Sequence, residues 1–393
     1  MMPTGNIFPS EPRVLIGGVG YGLGNVGDEG ILEGIVQDVR SVAPMADITV
    51  LTWSPETTAS LLRVKAVRTR IQSVVKQIAR SDVVICGGAS IIAEYYDKRA
   101  SITEKLKGYP GYPLSLVTLA KVLRKKVMVY AVGVEPIESV WFRQWAVLSM
   151  KIADAFTVRD EASKQLLGKW GDNSRVEVTT DPAFNLSPPP VQVTDDFLRA
   201  QGLEFPSSAL LIGMSFAYEP QFVKNLNEQI EFFTELAQKL IVENNAYIVL
   251  IPMNTNPTLD YQGLTQVARR LPASRVTILK GNYNPSQVIG LVSRLDLVVS
   301  SRMHLLIFSA IANTPFATVS RGPKLDAFAQ RFGVEPVARL ESLDVSLAKA
   351  RIDEIVESIV KQKGLISRHL PGIRSSLEVN RKLLKDLLVS GRI

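Results

Sequence analysis

The sequence predicts an α/β protein built of two doubly wound, Rossmann-like domains that face a cleft. Three observations carry this expectation. Short apolar runs alternate with stretches of helical spacing along most of the 393 residues, the pattern of βαβ units around a parallel sheet. At ~150 residues per domain, the length suits two such units. The alternation breaks once, between Leu186 and Ser208, where Pro188-Pro189-Pro190 interrupts the chain.

In order, Arg13-Val14-Leu15-Ile16-Gly17 reads as a strand, and a glycine-rich loop runs from Gly17 to Gly27. A helix is expected to start at Asp28-Glu29, because Ile31, Leu32, Ile35, Val36 and Val39 repeat at helical spacing. Ile48–Leu51, Val83–Cys86, Val127–Val132, Ala155–Val158 and Val176–Thr179 supply further strands, with helices fitting over Leu114–Leu123 and Phe142–Ile152. Alternation resumes with strands at Leu210–Gly213, Tyr247–Ile251, Val276–Leu279, Leu295–Val299 and Phe316–Val319, and a helix over Ile230–Ile241. From Ser342 onward the pattern is two helices broken near Pro371-Gly372. The expected division is a first domain over 1–187, a linker over 188–208, a second domain over 209–370 and a C-terminal helix over 371–393.

Composition narrows the function classes. With 46% hydrophobic and 21% charged residues, the chain has the profile of a soluble globular protein. The single cysteine, Cys86, lies in an apolar run, which points to a buried thiol and excludes an intrachain disulfide framework. No stretch approaches the ~18 apolar residues of a membrane span, and the N-terminal residues lack a basic-then-apolar signal, so a cytoplasmic location is expected. The net charge of +7 admits nucleic acid, an anionic membrane surface or an anionic substrate as partner. Apart from short groups such as Arg124-Lys125-Lys126 the basic residues are dispersed. No basic stripe carries interleaved aromatics, which argues against nucleic acid and leaves peripheral membrane contact open. The amphipathic run around Leu383-Leu384 and Leu387-Leu388 suits either that contact or a helix packing back on the first domain.

Ser300-Ser301-Arg302-Met303-His304 holds the strongest chemical signal. It follows an apolar strand and opens a helix, so backbone N–H groups, the positive end of the helix dipole and two basic side chains converge. The plainer reading is a solvated Arg302 and a His304 that caps or packs the helix. However, a basic pair on a first helical turn is unfavourable without an anion. Gly22-Leu23-Gly24-Asn25-Val26-Gly27 fits the dinucleotide fingerprint in outline. Yet the acid expected after the second strand is missing, and Asp28-Glu29 would compete with a pyrophosphate. Asn25 or Asp28 can instead cap the helix, and Asn25, Asp28 and Glu29 can accept hydrogen bonds from sugar hydroxyls. Cys86-Gly87-Gly88-Ala89-Ser90 forms a second turn after a strand, serving either backbone approach to a ligand or the turn alone. Arg159 follows a strand and either faces a ligand or pairs with Asp160 or Glu161. No pattern supports a metal centre or a covalent nucleophile, and His369 sits in a polar, basic segment expected at the surface.

With these residues in hand, the chain resembles the polysaccharide pyruvyl transferase family from the first strand to about residue 332. The segments that carry the likeness are Gly24–Leu32, Gly87-Gly88-Ala89-Ser90, Val158-Arg159-Asp160 with Ser163, Asp181-Pro182-Ala183-Phe184, Ser301–Phe308, and Pro323-Lys324 with Phe328. The resemblance implies a fold like that of GT-B glycosyltransferases, with the acceptor on the first domain and the donor on the second. It also implies transfer of the enolpyruvyl unit of phosphoenolpyruvate to two hydroxyls of one sugar, forming a pyruvate ketal and releasing phosphate, with no cofactor. By the family pattern His304 is the catalytic acid, and Arg302, Arg159 and Lys324 bind the donor. Asn25, Asp28, Glu29 and Ser90 are the acceptor-side candidates, and the acceptor would be a glycan or a lipid-linked saccharide. The sequence departs from the pattern where Ile91–Glu94 follow the second turn, at Ala217, and at Arg321-Gly322 before Pro323-Lys324.

Two other readings use the same fold. A nucleotide-sugar glycosyltransferase would need an acidic residue near Arg302 for the ribose and diphosphate contacts, and the sequence offers no obvious one. A polyanion-binding protein would keep the basic corner without turnover.

Overall fold

A computed structural model describes residues 11–94, 101–219 and 225–389. They form two compact units, the first taking the chain up to Leu23, Ile31–Asn185 and the chain from Arg374, the second Gly24–Gly30 and Leu186–Ile373.

The first unit runs through β1 (Arg13–Gly17), most of α1 (Val26–Val42), β2 (Asp47–Thr52), α2 (Pro55–Leu62), β3 (Lys65–Arg68), α3 (Ile71–Arg80) and β4 (Val83–Gly87). It continues with α4 (Ile102–Lys107), α5 (Gly111–Val122), β5 (Lys126–Val132), α6 (Val140–Ile152), β6 (Ala155–Val158), α7 (Glu161–Gly168) and β7 (Val176–Val178). The strands pair in the order β3-β2-β1-β4-β5-β6-β7, every neighbour parallel. Strands buried on both faces read as unbroken apolar runs, which is why β1, β4 and β5 are legible in the sequence. The edge strand β3, Lys-Ala-Val-Arg, has no fully buried residue and escaped that reading.

The second unit holds α8 (Val191–Ala200), β8 (Leu210–Ser215), α9 (Leu226–Asn244), β9 (Ala246–Leu250), α10 (Asp260–Ala268), β10 (Val276–Ile278) and α11 (Pro285–Val292). Then follow β11 (Leu297–Ser300), α12 (Met303–Ile311), β12 (Phe316–Ser320), α13 (Pro323–Gln330), β13 (Ala338–Arg339), α14 (Val345–Glu357) and most of α15 (Ile359–Ser375). Its sheet has the order β10-β9-β8-β11-β12-β13, again parallel. Its core joins Ile212 and Met214 of β8 to Phe233, Leu236 and Leu240 of α9, with the Phe216 and Phe233 rings stacked at 4.9 Å.

Several boundaries differ from the sequence reading. Residues 188–208 are not a free linker: they contain α8, which packs on α11 so closely that a Cβ on Gly290 would lie 2.5 Å from Thr194 Oγ1. The expected break at Pro371 does not occur, since α15 runs through it. Beyond it, α16 (Leu377–Val389) returns to the first unit. Polar groups hold it there: Arg381 Nε donates to the buried Asp38 carboxylate at 2.6 Å, and Asn380 Nδ2 donates to Thr179 Oγ1 at 3.1 Å. Leu384, Leu387 and Leu388 are buried as well, so of the two uses the sequence offered for this amphipathic run, packing back on the first domain is the one observed.

Candidate active site

In an open parallel sheet the binding crevice lies at the carboxyl ends of the strands where the strand order reverses. In the second unit that point falls between β8 and β11. Tyr218 and Glu219 follow β8, and Ser301, Arg302 and His304 follow β11. The corner singled out in the sequence therefore stands at the switch point of its sheet.

Arg302 is tied down on three sides. Its Nε donates to Asp260 Oδ2 at 2.9 Å, its Nη2 donates to Asp260 Oδ1, and its Nη1 lies 2.7 Å from Glu219 Oε1. Asp260 is fully buried and also accepts backbone N–H bonds from Tyr218 at 3.0 Å and from Met253 and Asn254 at 3.1 Å each. One carboxylate thus fastens the turns after β8, β9 and β11 together. Burial alone would lower the Arg302 pKa, but the charges of Asp260 and Glu219 outweigh it and hold the guanidinium above its ordinary value. For Glu219, burial pushes the pKa up, yet Arg302 and then Arg321 pull it down, and the net shift is downward.

The expectation of no acid near Arg302 is therefore corrected, since Asp260 and Glu219 both lie there. Asp260 was missed because the chain brings it from the start of α10, 42 residues away. A Pro-Thr-Leu stretch before a helix start was the available signal. Its two oxygens already serve five donors, so Asp260 reads as a fastening group. Glu219 is 22% exposed at its side chain and holds the third side of Arg302.

His304 occupies the first turn of α12 and is half-buried. A Cβ added to Gly27 would lie 2.2 Å from His304 Nδ1, so this position admits only glycine while the ring keeps its place. One turn on, a Cβ at Gly30 would approach Phe308 Cζ at 3.1 Å. The two glycines let the start of α1 press against α12. The loop before them is pinned by a bond from Val26 N–H to Met253 O at 2.9 Å and from Thr255 N–H to Gly24 O at 2.8 Å. Gly24 has φ +86, and a Cβ there would meet Thr255 Oγ1 at 2.6 Å. The glycine loop is a packing device around His304, which accounts for its incomplete match to a dinucleotide fingerprint.

Asn25 caps α1, its Oδ1 accepting the Gly27 N–H at 3.1 Å. The helix begins at Val26, so the expected start at Asp28-Glu29 is two residues late. Asp28 and Glu29 sit half-buried in its first turn, where carboxylates suit the dipole. Lys324, half-buried, opens α13 after β12, the strand beside β11.

Arg159 and Ser90 come together in the first unit. Arg159 is 2% exposed; its Nη1 donates to Asp181 Oδ2 at 3.1 Å and its Nη2 to Ser90 Oγ at 2.6 Å. A Cβ at Gly133 would come within 2.7 Å of both Arg159 Nη2 and Ser90 Oγ. The main partner is Asp181, with Asp160 more distant at 3.9 Å. His369, expected at the surface, is half-buried. Among the described residues no helix is long and apolar enough to cross a membrane.

The two parallel-sheet α/β units have the fold found in GT-B glycosyltransferases and sugar-nucleotide epimerases. Similar solved structures include a glycosyltransferase from Rickettsia africae (TM-score 0.60, 15% identity, 96% of this chain and 99% of that one). A UDP-GlcNAc 2-epimerase from Neisseria meningitidis bound to UDP-GlcNAc is similar too (0.59, 12%, 95% and 99%). So is the ADP-heptose lipopolysaccharide heptosyltransferase II of E. coli (0.53, 13%, 88% and 99%). At such identities the likeness is one of fold. No curated protein sequence matches. The profile of the polysaccharide pyruvyl transferase family matches residues 25–323, and the chain belongs to that family of transferases.

Proposed function

We propose that the protein transfers the enolpyruvyl group of phosphoenolpyruvate to two hydroxyls of one sugar in a polysaccharide or glycan precursor, forming a cyclic pyruvate ketal and releasing phosphate. The observation that carries this reading is the family match across residues 25–323, within which His304 stands at the sheet's switch point against Gly27.

In this reading His304 delivers a proton to the methylene carbon of the donor, the role an imidazole fills best near neutral pH. The adjacent carbon gains oxocarbenium character, one sugar hydroxyl adds to it, phosphate departs, and the second hydroxyl closes the ring. Arg302 and Lys324 bind the donor's anionic groups, with the donor exchanging for Glu219 on Arg302. Arg159 has no donor contact in this reading, because its guanidinium is taken up by Asp181 and Ser90. Asn25, Asp28 and Glu29 serve the acceptor only through what capping leaves available. No step calls for a cofactor.

The test is incubation with phosphoenolpyruvate and a panel of glycans and lipid-linked saccharides, reading phosphate release and product mass. A product heavier by one ketal-linked pyruvate, absent with His304→Gln, supports the reading. No phosphate release with any acceptor, alongside tight binding of a nucleotide sugar, replaces it with glycosyl transfer.

A further inference from the structure

The outer helices of the first unit carry a surface that the transfer chemistry does not use. On α6 the buried side is Phe142, Ala146, Ser149 and Met150. The opposite side presents Val140, Trp141 and Leu148, which are 58%, 48% and 45% exposed. The Trp141 ring lies 5.1 Å from that of Trp145, whose Nε1–H donates to Thr118 Oγ1 of α5 at 2.8 Å. That bond sets Thr118 beside Trp145, and one turn further along α5 stands Val122, 70% exposed. Single exposed apolar residues are ordinary, whereas a contiguous group anchored by tryptophan marks a contact surface.

Charge points to the partner. From Gly111 to Asp154 the chain has six basic residues (Lys121, Arg124, Lys125, Lys126, Arg143 and Lys151) against three acids (Glu135, Glu138 and Asp154). That leaves +3 of the total +7 in little more than a tenth of the length. Arg124 and Lys151 are exposed. Tryptophan and aliphatic side chains flanked by lysine and arginine suit the boundary between headgroups and acyl chains, and basic residues draw such a face to anionic lipid. A second copy of the chain fits less well, because a symmetric contact would set like charges together.

We propose that the α5–α6 face docks on an anionic lipid bilayer, with Trp141, Leu148 and Val122 entering the interface and Arg124 and Lys151 meeting lipid phosphates. The inference is independent of the transfer chemistry.

Co-sedimentation with vesicles tests it, using phosphatidylcholine alone and phosphatidylcholine mixed with phosphatidylglycerol. The full chain should sediment with the mixed vesicles, at least about tenfold more weakly with the neutral ones, and the binding should fade as salt rises. Trp141→Ser with Leu148→Ser should abolish it, and Arg124→Glu with Lys151→Glu should weaken it about tenfold. Quenching of tryptophan fluorescence by brominated lipid should drop in Trp141→Ser. Circular dichroism and the unfolding midpoint should match wild type, since these side chains are exposed. Failure of the wild-type chain to bind the mixed vesicles overturns the proposal. So does undiminished binding by the Trp141/Leu148 double variant, or a wild-type dimer that those substitutions convert to monomer.

Discussion

Two arginines follow strands of parallel sheets, Arg159 after β6 and Arg302 after β11, and each is paired with a buried aspartate. Their surroundings differ. The Arg159 side chain is 1% exposed and closed in by Asp181, Ser90 and the backbone at Gly133. The Arg302 side chain is 12% exposed, its third face is held by a partly exposed glutamate, and a half-buried histidine lies two residues on. The first unit's strand order reverses between β1 and β4, well away from β6, whereas β11 borders the reversal in the second unit. Residue type and strand-end position are the same in both. Adjacency to the switch point distinguishes an arginine that faces a binding edge from one that fastens a fold.

The sharpest test of that contrast is turnover. His304→Gln should cut phosphate release by about 10²–10⁴-fold and leave the unfolding midpoint in place. Arg159→Gln should lower the midpoint, because it leaves Asp181 buried without its partner. An Arg159→Gln protein as stable as wild type but weak for donor would reverse the comparison.

Asp260→Ala should come next. It strips the buried one of two carboxylate partners from a largely buried guanidinium and orphans three backbone N–H groups, a change of about 3–5 kcal/mol readable by urea unfolding. A loss under ~1 kcal/mol would mean that water and Glu219 replace the carboxylate.

Gly27→Ala sets a methyl against the His304 ring. Its kcat should fall by about tenfold or more through displacement of the imidazole, with donor KM little changed. An unchanged kcat would show that the ring position does not matter to the reaction.

Glu219→Gln should act more mildly. Removing the charge that competes for Arg302 should lower donor KM several-fold, while stability shifts by no more than ~1 kcal/mol, since the pair is partly solvated. A raised KM would instead make Glu219 part of the donor site.

The last effect is alkaline and lies outside the site. Burial pushes the Cys86 thiol and the Tyr112 phenol each up to about 12. A pKa raised on folding favours the protonated folded form. The stability contribution is therefore complete below the ordinary values of 9.0 and 10.0 and is lost as pH rises through about 12. Unfolding midpoints measured from pH 8 upward should hold to about pH 9 and then decline, and Cys86 should resist a thiol reagent at pH 8 until the chain unfolds. Rapid labelling of the native protein would contradict the burial.

The doubly wound character of both halves was legible because strands covered on both faces must be apolar throughout, as in Val83–Gly87. The corner at Ser301–His304 was legible because a basic pair on a first helical turn contradicts local electrostatics and so demands a reason. The packing of the glycine loop against His304 was not legible, since nothing near Gly27 in sequence announces the imidazole that lies against it. Edge strand β3 was lost for the opposite reason: partial exposure relaxes the demand for apolar residues.

The sequence alone determined the alternation of strand and helix, the two-unit scale and the residues with chemistry to offer, because propensity and burial pattern are local properties. Tertiary structure decided what surrounds those residues. Asp260 reaches Arg302 across 42 positions, Gly27 meets His304 across 277, and Arg381 meets Asp38 across 343. Electrostatics and close packing act through space, and the chain order does not record which distant groups the fold brings within reach.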